Sequence, residues 1–204
     1  RLAAARAGRG RRSGTAPWTW HLMRQVHGDG VAVVTAATPV GAELRDVDAV
    51  VTDVPGRPLV VLAADCLPIL IAGSRAVAAV HAGWRGLVAD VVGRALDRLV
   101  TLGEDPARLE VGVGPAIGAC CYVVGPEVAA PLGTIAPEAV VAREGGRPHV
   151  DLVAALRARL AARGVAPPRL VGPCARCGPG AWFSHRADPA AGRQAGLVVL
   201  GGGA

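Results

Sequence analysis

The chain of 204 residues contains no lysine, since all 22 of its basic residues are arginine. This absence excludes a catalytic Schiff-base lysine and a Walker-type phosphate loop, both of which depend on that side chain. A single Met, a single Phe and a single Tyr leave few platforms for stacking single-stranded nucleic acid. An odd set of five cysteines favours reduced thiols over a disulfide framework, which leads us to expect a cytoplasmic protein.

Long apolar runs are also missing. No run approaches the roughly 18 residues of a membrane span, and the longest, at 59–64, has the length of a strand. No apolar segment follows the arginines of residues 1–16, so we expect no secretory signal and no membrane partner. That segment supplies much of the net charge of +6, and we expect it to be a mobile or partly helical terminus rather than a nucleic-acid-binding arm.

The apolar fraction of 51% excludes a disordered chain, and the length favours one domain over residues 1–204. Short apolar runs with turn residues between them predict strands. Four of them follow one another closely, at 48–53, 59–64, 68–72 and 76–80. Because these runs leave no room for crossover helices, the sequence predicts a mixed, largely antiparallel sheet.

Two segments have the spacing of amphipathic helices. The first runs over 87–99, with apolar residues repeating every three or four positions. The second begins after Asp151, a typical N-cap residue, and ends at Gly164, where a C′ glycine is expected. Together with further strands at 109–113 and 197–200, these helices predict an α+β fold in which helices flank the sheet.

Three predicted strand ends carry metal-ligating side chains: His27, Cys66 and His81. Each alone has an ordinary structural explanation, and their intervals of 39 and 15 residues match no local zinc motif. Their neighbours favour a shared site. Asp65 lies beside Cys66 at the end of a strand too apolar to hold an unpaired charge, and Arg85 follows His81 on a glycine-flanked turn.

Two further landmarks lie downstream. The glycine-rich turn at 112–118 is either an anion-binding loop or a plain strand-to-loop turn. The last part of the chain concentrates charge around Phe183–Arg186, which is followed by Asp188 and Arg193. The Cys-x-x-Cys pair at 174–177 has no second such pair, so we expect ordinary reduced thiols there, although Cys120 and Cys121 are free to approach it in space.

Several motifs together make the chain resemble the YfiH-type family, whose members carry the names peptidoglycan editing factor, laccase-domain (polyphenol oxidase) protein and purine nucleoside phosphorylase. These motifs are Gln25-Val-His-Gly28, Ala63-Ala-Asp-Cys-Leu-Pro68, His81-Ala-Gly-Trp-Arg-Gly86, Gly114-Pro-Ala-Ile-Gly118, Cys120-Cys-Tyr122 and Phe183-Ser-His-Arg186. The resemblance implies layers of the α/β/β/α kind, similar to cysteine-hydrolase-like toxin domains. It also implies zinc ligands at His27, Cys66 and His81, phosphorolysis of adenosine, inosine, guanosine and methylthioadenosine, and deamination of adenosine.

The chain departs from the family pattern in two places. The family's usual N-terminal stretch, with a Thr-Arg-x-Gly-Gly-Val-Ser-like motif, has no counterpart here. Ala187 occupies a position where a second arginine is common. If these features help close the substrate pocket or hold phosphate, we expect weaker contacts in this chain.

Two imidazoles and one thiolate leave the fourth position of a tetrahedral zinc ion open, which is the pattern of a catalytic site. Such an ion generates hydroxide near neutral pH, and attack at purine C6 would deaminate adenosine. We expect Asp65 to act as general base, and Arg85 and Arg186 to bind phosphate with the turn at 112–118 as a further donor. Ser184 and His185 are expected either to contact the sugar or to support the side chains that contact substrate.

Three alternatives use the same sequence differently. In a metal-free hydrolase, Cys66 would be the nucleophile and His81 its base. In a copper oxidase, one thiolate and two imidazoles would resemble a blue-copper centre, although five histidines are few for multi-copper chemistry. In a binding module, the arginines of the first 12 residues would contact RNA or an acidic partner.

Overall fold

The computed structural model describes residues 3–5, 15–142, 146–180 and 182–201. The strands are β1 (Ala3–Ala5), β2 (Leu22–Arg24), β3 (Val31–Val33), β4 (Glu43–Arg45), β5 (Ala49–Thr52), β6 (Leu59–Ala63), β7 (Leu67–Ala72), β8 (Val77–Ala82), β9 (Glu110–Val113), β10 (Val140–Val141), β11 (His149–Val150), β12 (Arg169–Leu170) and β13 (Gln194–Val198). The α-helices are α1 (Trp84–Val88), α2 (Val91–Thr101), α3 (Pro126–Ile135) and α4 (Leu152–Ala161).

The main sheet has six strands in the order β12-β9-β7-β8-β5-β3. Its four central strands pair antiparallel, and the two outer pairs, β12 with β9 and β3 with β5, are parallel. The mixed, largely antiparallel sheet that the sequence predicts is therefore confirmed. In the β7–β8 pair, Ile69 lies opposite Val80 and Pro68 lies opposite His81. This register places His81 near the open end of the hairpin, far from its turn.

One predicted strand belongs to a different sheet from its neighbours. Strand β6 pairs antiparallel with β13, which also pairs with β1, and these three strands form a second sheet. Leu59 to Ala63 is thus a strand, but it is not a member of the main sheet. The turn at 64–66 carries the chain from one sheet to the other, and this crossing places Asp65 and Cys66 where the two sheets meet.

The core is divided by the alternation of side chains along the main sheet. Val51, Ile69 and Val80 face the four helices and join the larger apolar cluster. Val50 and Leu70 face the second sheet and pack with Val61 of β6. The helices therefore cover one face of the main sheet and the second sheet covers the other, which is the α+β architecture predicted.

The predicted helix at 87–99 is two helices, because the chain breaks at Asp90. This residue has a φ of +64°, and its side chain accepts a hydrogen bond from the backbone N–H of Gly93 and so caps α2. Arg163 donates to the same carboxylate at 2.7 Å. The apolar stripe survives the break, since Leu87 of α1 and Leu96 of α2 are both buried.

The second predicted helix is confirmed as α4. Asp151 accepts hydrogen bonds from the N–H groups of Val153 and Ala154, and Gly164 has the left-handed backbone expected beyond the helix end. Helix α3 was not predicted, because Pro131 lies inside it and its small residues give no clear stripe. The predicted strand at 197–200 begins earlier, since β13 spans Gln194–Val198.

Most of the arginine-rich segment lies outside the described residues. Its Ala3–Ala5 is a strand that pairs antiparallel with β13, so a partly helical terminus is not what these three residues form. None of the helices in the described part of the chain combines the length and the hydropathy of a membrane span.

Candidate metal centre and its cavity

The three metal-ligating side chains that the sequence singles out meet in the structure. His27 lies in the loop between β2 and β3, Cys66 lies between β6 and β7, and His81 lies in β8. One ligand atom from each lies within 4.8 Å of the other two. The two imidazoles meet edge to face, with ring centroids 4.8 Å apart. This spacing suits one metal ion.

The backbone around the three side chains is unusual in ways that bring them together. His27 has a φ of +61° and Asp65 a φ of +86°, in a region that side-chain-bearing residues seldom adopt. Gln25 holds the loop of His27 against β6, because its side chain donates to the carbonyl of Leu62 at 2.8 Å and accepts from its N–H at 3.0 Å. These local contacts fix the direction in which His27 points.

Asp48 is a functional residue that the sequence analysis missed. It is fully buried, and its carboxylate accepts hydrogen bonds from the backbone N–H groups of Val26, His27 and Gly28. The same carboxylate contacts Nδ1 of His81 at 2.8 Å. A carboxylate on the outer nitrogen of an imidazole leaves Nε2 for a metal and fixes the ring. The only signal in the sequence was an acidic residue at the start of an apolar strand.

The electrostatics of the cluster fit a bound cation. Burial, and next the neighbouring His81, lowers the pKa of His27, which keeps its imidazole neutral as metal binding requires. Burial, and then the charges of Asp65 and Asp48, raises the pKa of the Cys66 thiol to about 12. Without a metal ion this thiol stays protonated at neutral pH. The metal-free hydrolase with Cys66 as nucleophile is therefore disfavoured, since that mechanism needs a thiolate.

A cavity of about 510 Å³ opens beside the three side chains, a size typical of small-molecule sites. Asp65, Arg85, His185 and Arg186 all line it, as the sequence analysis expected of substrate-contacting residues. Ser184 is placed differently. It is buried beneath the neighbouring turn, and its hydroxyl accepts a hydrogen bond from the N–H of Ala187 at 3.2 Å.

Asp65 has one oxygen engaged and one without a partner. Its Oδ2 accepts a hydrogen bond from the backbone N–H of Arg186 at 2.6 Å, which ties the C-terminal segment to the centre. Its Oδ1 is buried and has no hydrogen-bond partner among the described residues. A buried carboxylate oxygen that lacks a partner is costly, so this atom points to a ligand or a proton that occupies the cavity during function.

Three arginines border the cavity. The guanidinium of Arg85 stacks on the ring of Trp84 at 4.4 Å from its centroid, and that of Arg186 lies 5.2 Å from the centroid of the Tyr122 ring. Arg193, which the sequence analysis noted without giving it a role, is the third. Burial, followed by Cys66, raises the pKa of Tyr122 to about 12, so its hydroxyl remains a hydrogen-bond donor at neutral pH.

The glycine-rich turn at 112–118 does not offer the donors that were expected of it. The N–H of Gly114 donates to the carbonyl of Pro68, and that of Ile117 donates to the carbonyl of Asp65. The N–H of Gly118 points to the sulfur of Cys174 at 3.3 Å. Since these groups bond to the protein itself, the turn positions the residues around it, and the role as an anion-binding loop is wrong for these three N–H groups.

A family model described as multi-copper polyphenol oxidoreductase laccase matches residues 2–201. The chain belongs to this laccase family. Its similar relatives include a purine nucleoside phosphorylase of Streptomyces griseus, 43% identical over 180 residues that cover 87% of this chain and 73% of the relative. Another is a purine nucleoside phosphorylase of Xylella fastidiosa (strain 9a5c), 40% identical over 191 residues that cover 89% and 72% of the two chains.

Two solved structures share the fold. A Bacillus licheniformis hypothetical protein, YfiH, superposes with a TM-score of 0.84 at 26% identity, over 91% of this chain and 76% of that one. YlmD from Geobacillus stearothermophilus gives a TM-score of 0.80 at 29% identity, over 91% and 74%. The resemblance to the YfiH-type family and the predicted fold class are thereby confirmed.

Proposed function

We propose that this chain is a zinc-dependent purine nucleoside phosphorylase that acts on adenosine, inosine, guanosine and methylthioadenosine, and that it also deaminates adenosine. The observation that carries the proposal is the meeting of His27, Cys66 and His81 at the wall of a cavity that also holds Asp65 and arginines. The printed names of the relatives support the same substrate class. None of the five cysteines forms a disulfide bond, and we place the enzyme in the reducing cytoplasm.

The donor set favours zinc. Two imidazoles and one thiolate are ligands that zinc accepts, and three protein ligands are typical of its catalytic sites. The half-buried Cys66, whose pKa is raised to about 12, requires a cation before it loses its proton. When bound, zinc supplies Lewis-acid activation at the coordination position that the protein leaves open.

The arginines account for the phosphate. A phosphate dianion needs several N–H donors in a fixed arrangement, and guanidinium groups provide them in fork geometry. Arg186 is held in place by a 2.8 Å hydrogen bond to the carbonyl of Val123, and Arg85 is held by its stacking on Trp84. We assign phosphate binding to these two side chains, with Arg193 as the third cation at the cavity.

Asp65 is assigned the proton transfers. In phosphorolysis the bond from phosphate oxygen to the ribose carbon forms as the glycosidic bond to the purine breaks. The proton of the entering phosphate ends on the departing purine. We assign the transfer of this proton to Oδ1 of Asp65, a buried oxygen with no hydrogen-bond partner among the described residues. In deamination the same oxygen would carry a proton to the leaving ammonia. His185 is assigned to the sugar, since it lines the cavity.

The copper oxidase that the family description names requires more ligands than this centre shows. Of the five histidines, His21 and His149 direct Nδ1 to the backbone carbonyls of Pro58 and Ala119. Among the described residues, only His27 and His81 meet at Cys66, since His185 lines the cavity without joining this cluster. A second or third copper ion would lack imidazole ligands here, so nucleoside chemistry is the better assignment.

The test is a paired measurement of metal and turnover. Wild-type protein is incubated with inosine and phosphate, and hypoxanthine and ribose 1-phosphate are quantified before chelation, after chelation and after zinc is restored. Cys66→Ala should lose the activity, and Arg98→Ala, an exposed change on α2, should retain it. Full activity in the chelated protein would overturn the zinc assignment. Copper-dependent oxidation of a phenol without any nucleoside turnover would overturn the phosphorylase assignment.

A further inference from the structure

The four cysteines outside the centre at Cys66 also meet. Cys120 and Cys121 follow the glycine-rich turn, and Cys174 and Cys177 come from the loop after β12. All four Sγ atoms lie within 4.8 Å of one another. Two segments more than fifty residues apart in sequence thus bring their cysteines together. Ordinary packing of cysteine as a small apolar residue does not require four sulfurs to meet in this way.

The distances are those of a metal site rather than a disulfide. A tetrahedral zinc ion with Zn–S bonds of about 2.3 Å holds its sulfurs about 3.8 Å apart. The sulfurs of Cys120 and Cys177 are 3.4 Å apart, which is much longer than the roughly 2.05 Å of a disulfide bond. Small shifts of the four side chains would bring all of them to the tetrahedral spacing.

The backbone around Cys174 is arranged to support a sulfur that carries negative charge. The N–H of Gly118 points to this sulfur at 3.3 Å. The N–H of Gly178 donates to the carbonyl of Cys174 at 2.8 Å and closes the turn that holds both ligands of the Cys-x-x-Cys pair. Backbone donors of this kind stabilise a thiolate.

We propose that Cys120, Cys121, Cys174 and Cys177 bind one zinc ion in a closed, four-thiolate site that is distinct from the centre at Cys66. Four protein ligands leave no position for a substrate, so the role of this site is structural. Four thiolates select zinc or iron among the common metals, and zinc matches a protein whose proposed reactions move no electrons.

A zinc ion bound by the four cysteines would stabilise one wall of the cavity beside Cys66. Ile117 and Tyr122 line that wall and flank the first two cysteines in sequence. The loop of Cys174 is already joined to this segment by the hydrogen bond from the N–H of Ala175 to the carbonyl of Ala116 at 2.8 Å. A zinc ion that crosslinks the two loops would hold Tyr122 in place, and its loss would loosen the wall without removing the centre at Cys66.

The first experiment counts metal. Protein purified under reducing conditions should contain two zinc ions per chain in the wild type, one in Cys66→Ala, and one in the double variant Cys174→Ser/Cys177→Ser. Arg176→Ala, which changes an exposed residue between two ligands, should keep both ions. The Cys66→Ala count separates this proposal from the phosphorylase assignment, because it needs no activity. The Cys66→Ala count alone decides the matter if the double variant does not fold.

The second experiment identifies the ligands. Cobalt-loaded Cys66→Ala should show the intense sulfur-to-metal charge-transfer and ligand-field bands of four-thiolate cobalt, and the double variant should lose them. The double variant should also unfold at a lower temperature and show a raised KM for inosine. A Cys66→Ala protein that contains no zinc, iron in place of zinc, or a disulfide between these cysteines by mass spectrometry would each overturn the proposal.

Discussion

Gly83 lies directly against Cys66, so that a Cβ on residue 83 would be 2.9 Å from the sulfur and 3.4 Å from Cδ2 of His27. Real Cβ atoms do not approach a neighbour as closely as the first of these distances. The first residue after β8 therefore lacks a side chain because two proposed metal ligands occupy the space that a side chain would need.

Gly83→Ala should lower the metal content of the centre. The added methyl group must displace the sulfur of Cys66 or the backbone, and either shift spoils the shared geometry. Zinc affinity measured by chelator competition should fall. Gly201→Ala is the matched control, because a Cβ there meets nothing within 4 Å. Equal zinc affinity in the two variants would contradict the role given to Gly83.

Asp48→Asn should weaken the same centre by a different route. Loss of the carboxylate that orients His81 should cost about 10–100-fold in metal affinity, as is typical of groups that support a metal-binding imidazole. Calorimetric zinc titration measures this effect. If the affinity were unchanged while the protein remained folded, Asp48 would merely anchor the loop at 26–28.

Asp48 should also set the acid sensitivity of the metal-free protein. Burial opposes ionisation, but the hydrogen bonds from His81 and from the N–H groups of Gly28 and Val26 lower the pKa of this carboxyl below its ordinary 3.8. Below about pH 4 the unfolded chain binds the proton first, so the free energy of unfolding falls as pH falls. Denaturant unfolding in chelator should show a shallower decline for Asp48→Asn than for the wild type.

Alkylation of Cys66 should be slow at neutral pH even after the metal has been removed. A thiol with a pKa of about 12 exposes little thiolate, so its rate with iodoacetamide should rise about tenfold per pH unit below that value. Peptide mapping of residue 66 by mass spectrometry, with glutathione as the free-thiol reference, measures the rate. Rapid alkylation of Cys66 at pH 7 would instead support the metal-free hydrolase in which Cys66 is the nucleophile.

Arg186→Ala should raise the KM for phosphate far more than the KM for inosine. A charged hydrogen bond to phosphate is worth about 1.5–3 kcal/mol, which corresponds to a loss of roughly 10–100-fold in kcat/KM. The backbone N–H that binds Asp65 is retained in the variant. Arg186→Lys should recover part of the lost kcat/KM, since lysine keeps the positive charge but lacks the paired N–H donors of the guanidinium. Equal effects on both substrates would move phosphate binding to Arg85 or Arg193.

The sequence predicted the three side chains of the centre because reactive residues at the ends of apolar strands are conspicuous. His27, Cys66 and His81 lie at such positions, and their convergence follows from the topology of the sheets. Asp48 was missed because nothing local distinguishes a buried carboxylate that supports a histidine from the polar first residue of a strand. Its role depends on a contact across 33 residues of sequence.

Other features could not be predicted from the sequence because they depend on contacts between distant segments. The apolar pattern at 59–63 predicts a strand equally well for either sheet, and its pairing with β13 determines the answer. At the break, Asp90 accepts a hydrogen bond from Arg163, which lies 73 residues away. The meeting of Cys120 with Cys177 likewise depends on how two loops cross, which motif spacing alone does not encode.

The placement of β13 at the centre of the second sheet has a consequence for how the protein is made. The turn at 184–188 and Arg193 arrive with the last segment of the chain, and β6 has no antiparallel neighbour among the described residues until β13 emerges. A polypeptide that ended before residue 185 would carry His27, Cys66 and His81, but it would expose the edge of β6 and lack the three cavity residues His185, Arg186 and Arg193. Pairing of β13 with β6 is thus the step that completes the wall of the cavity beside the three ligands.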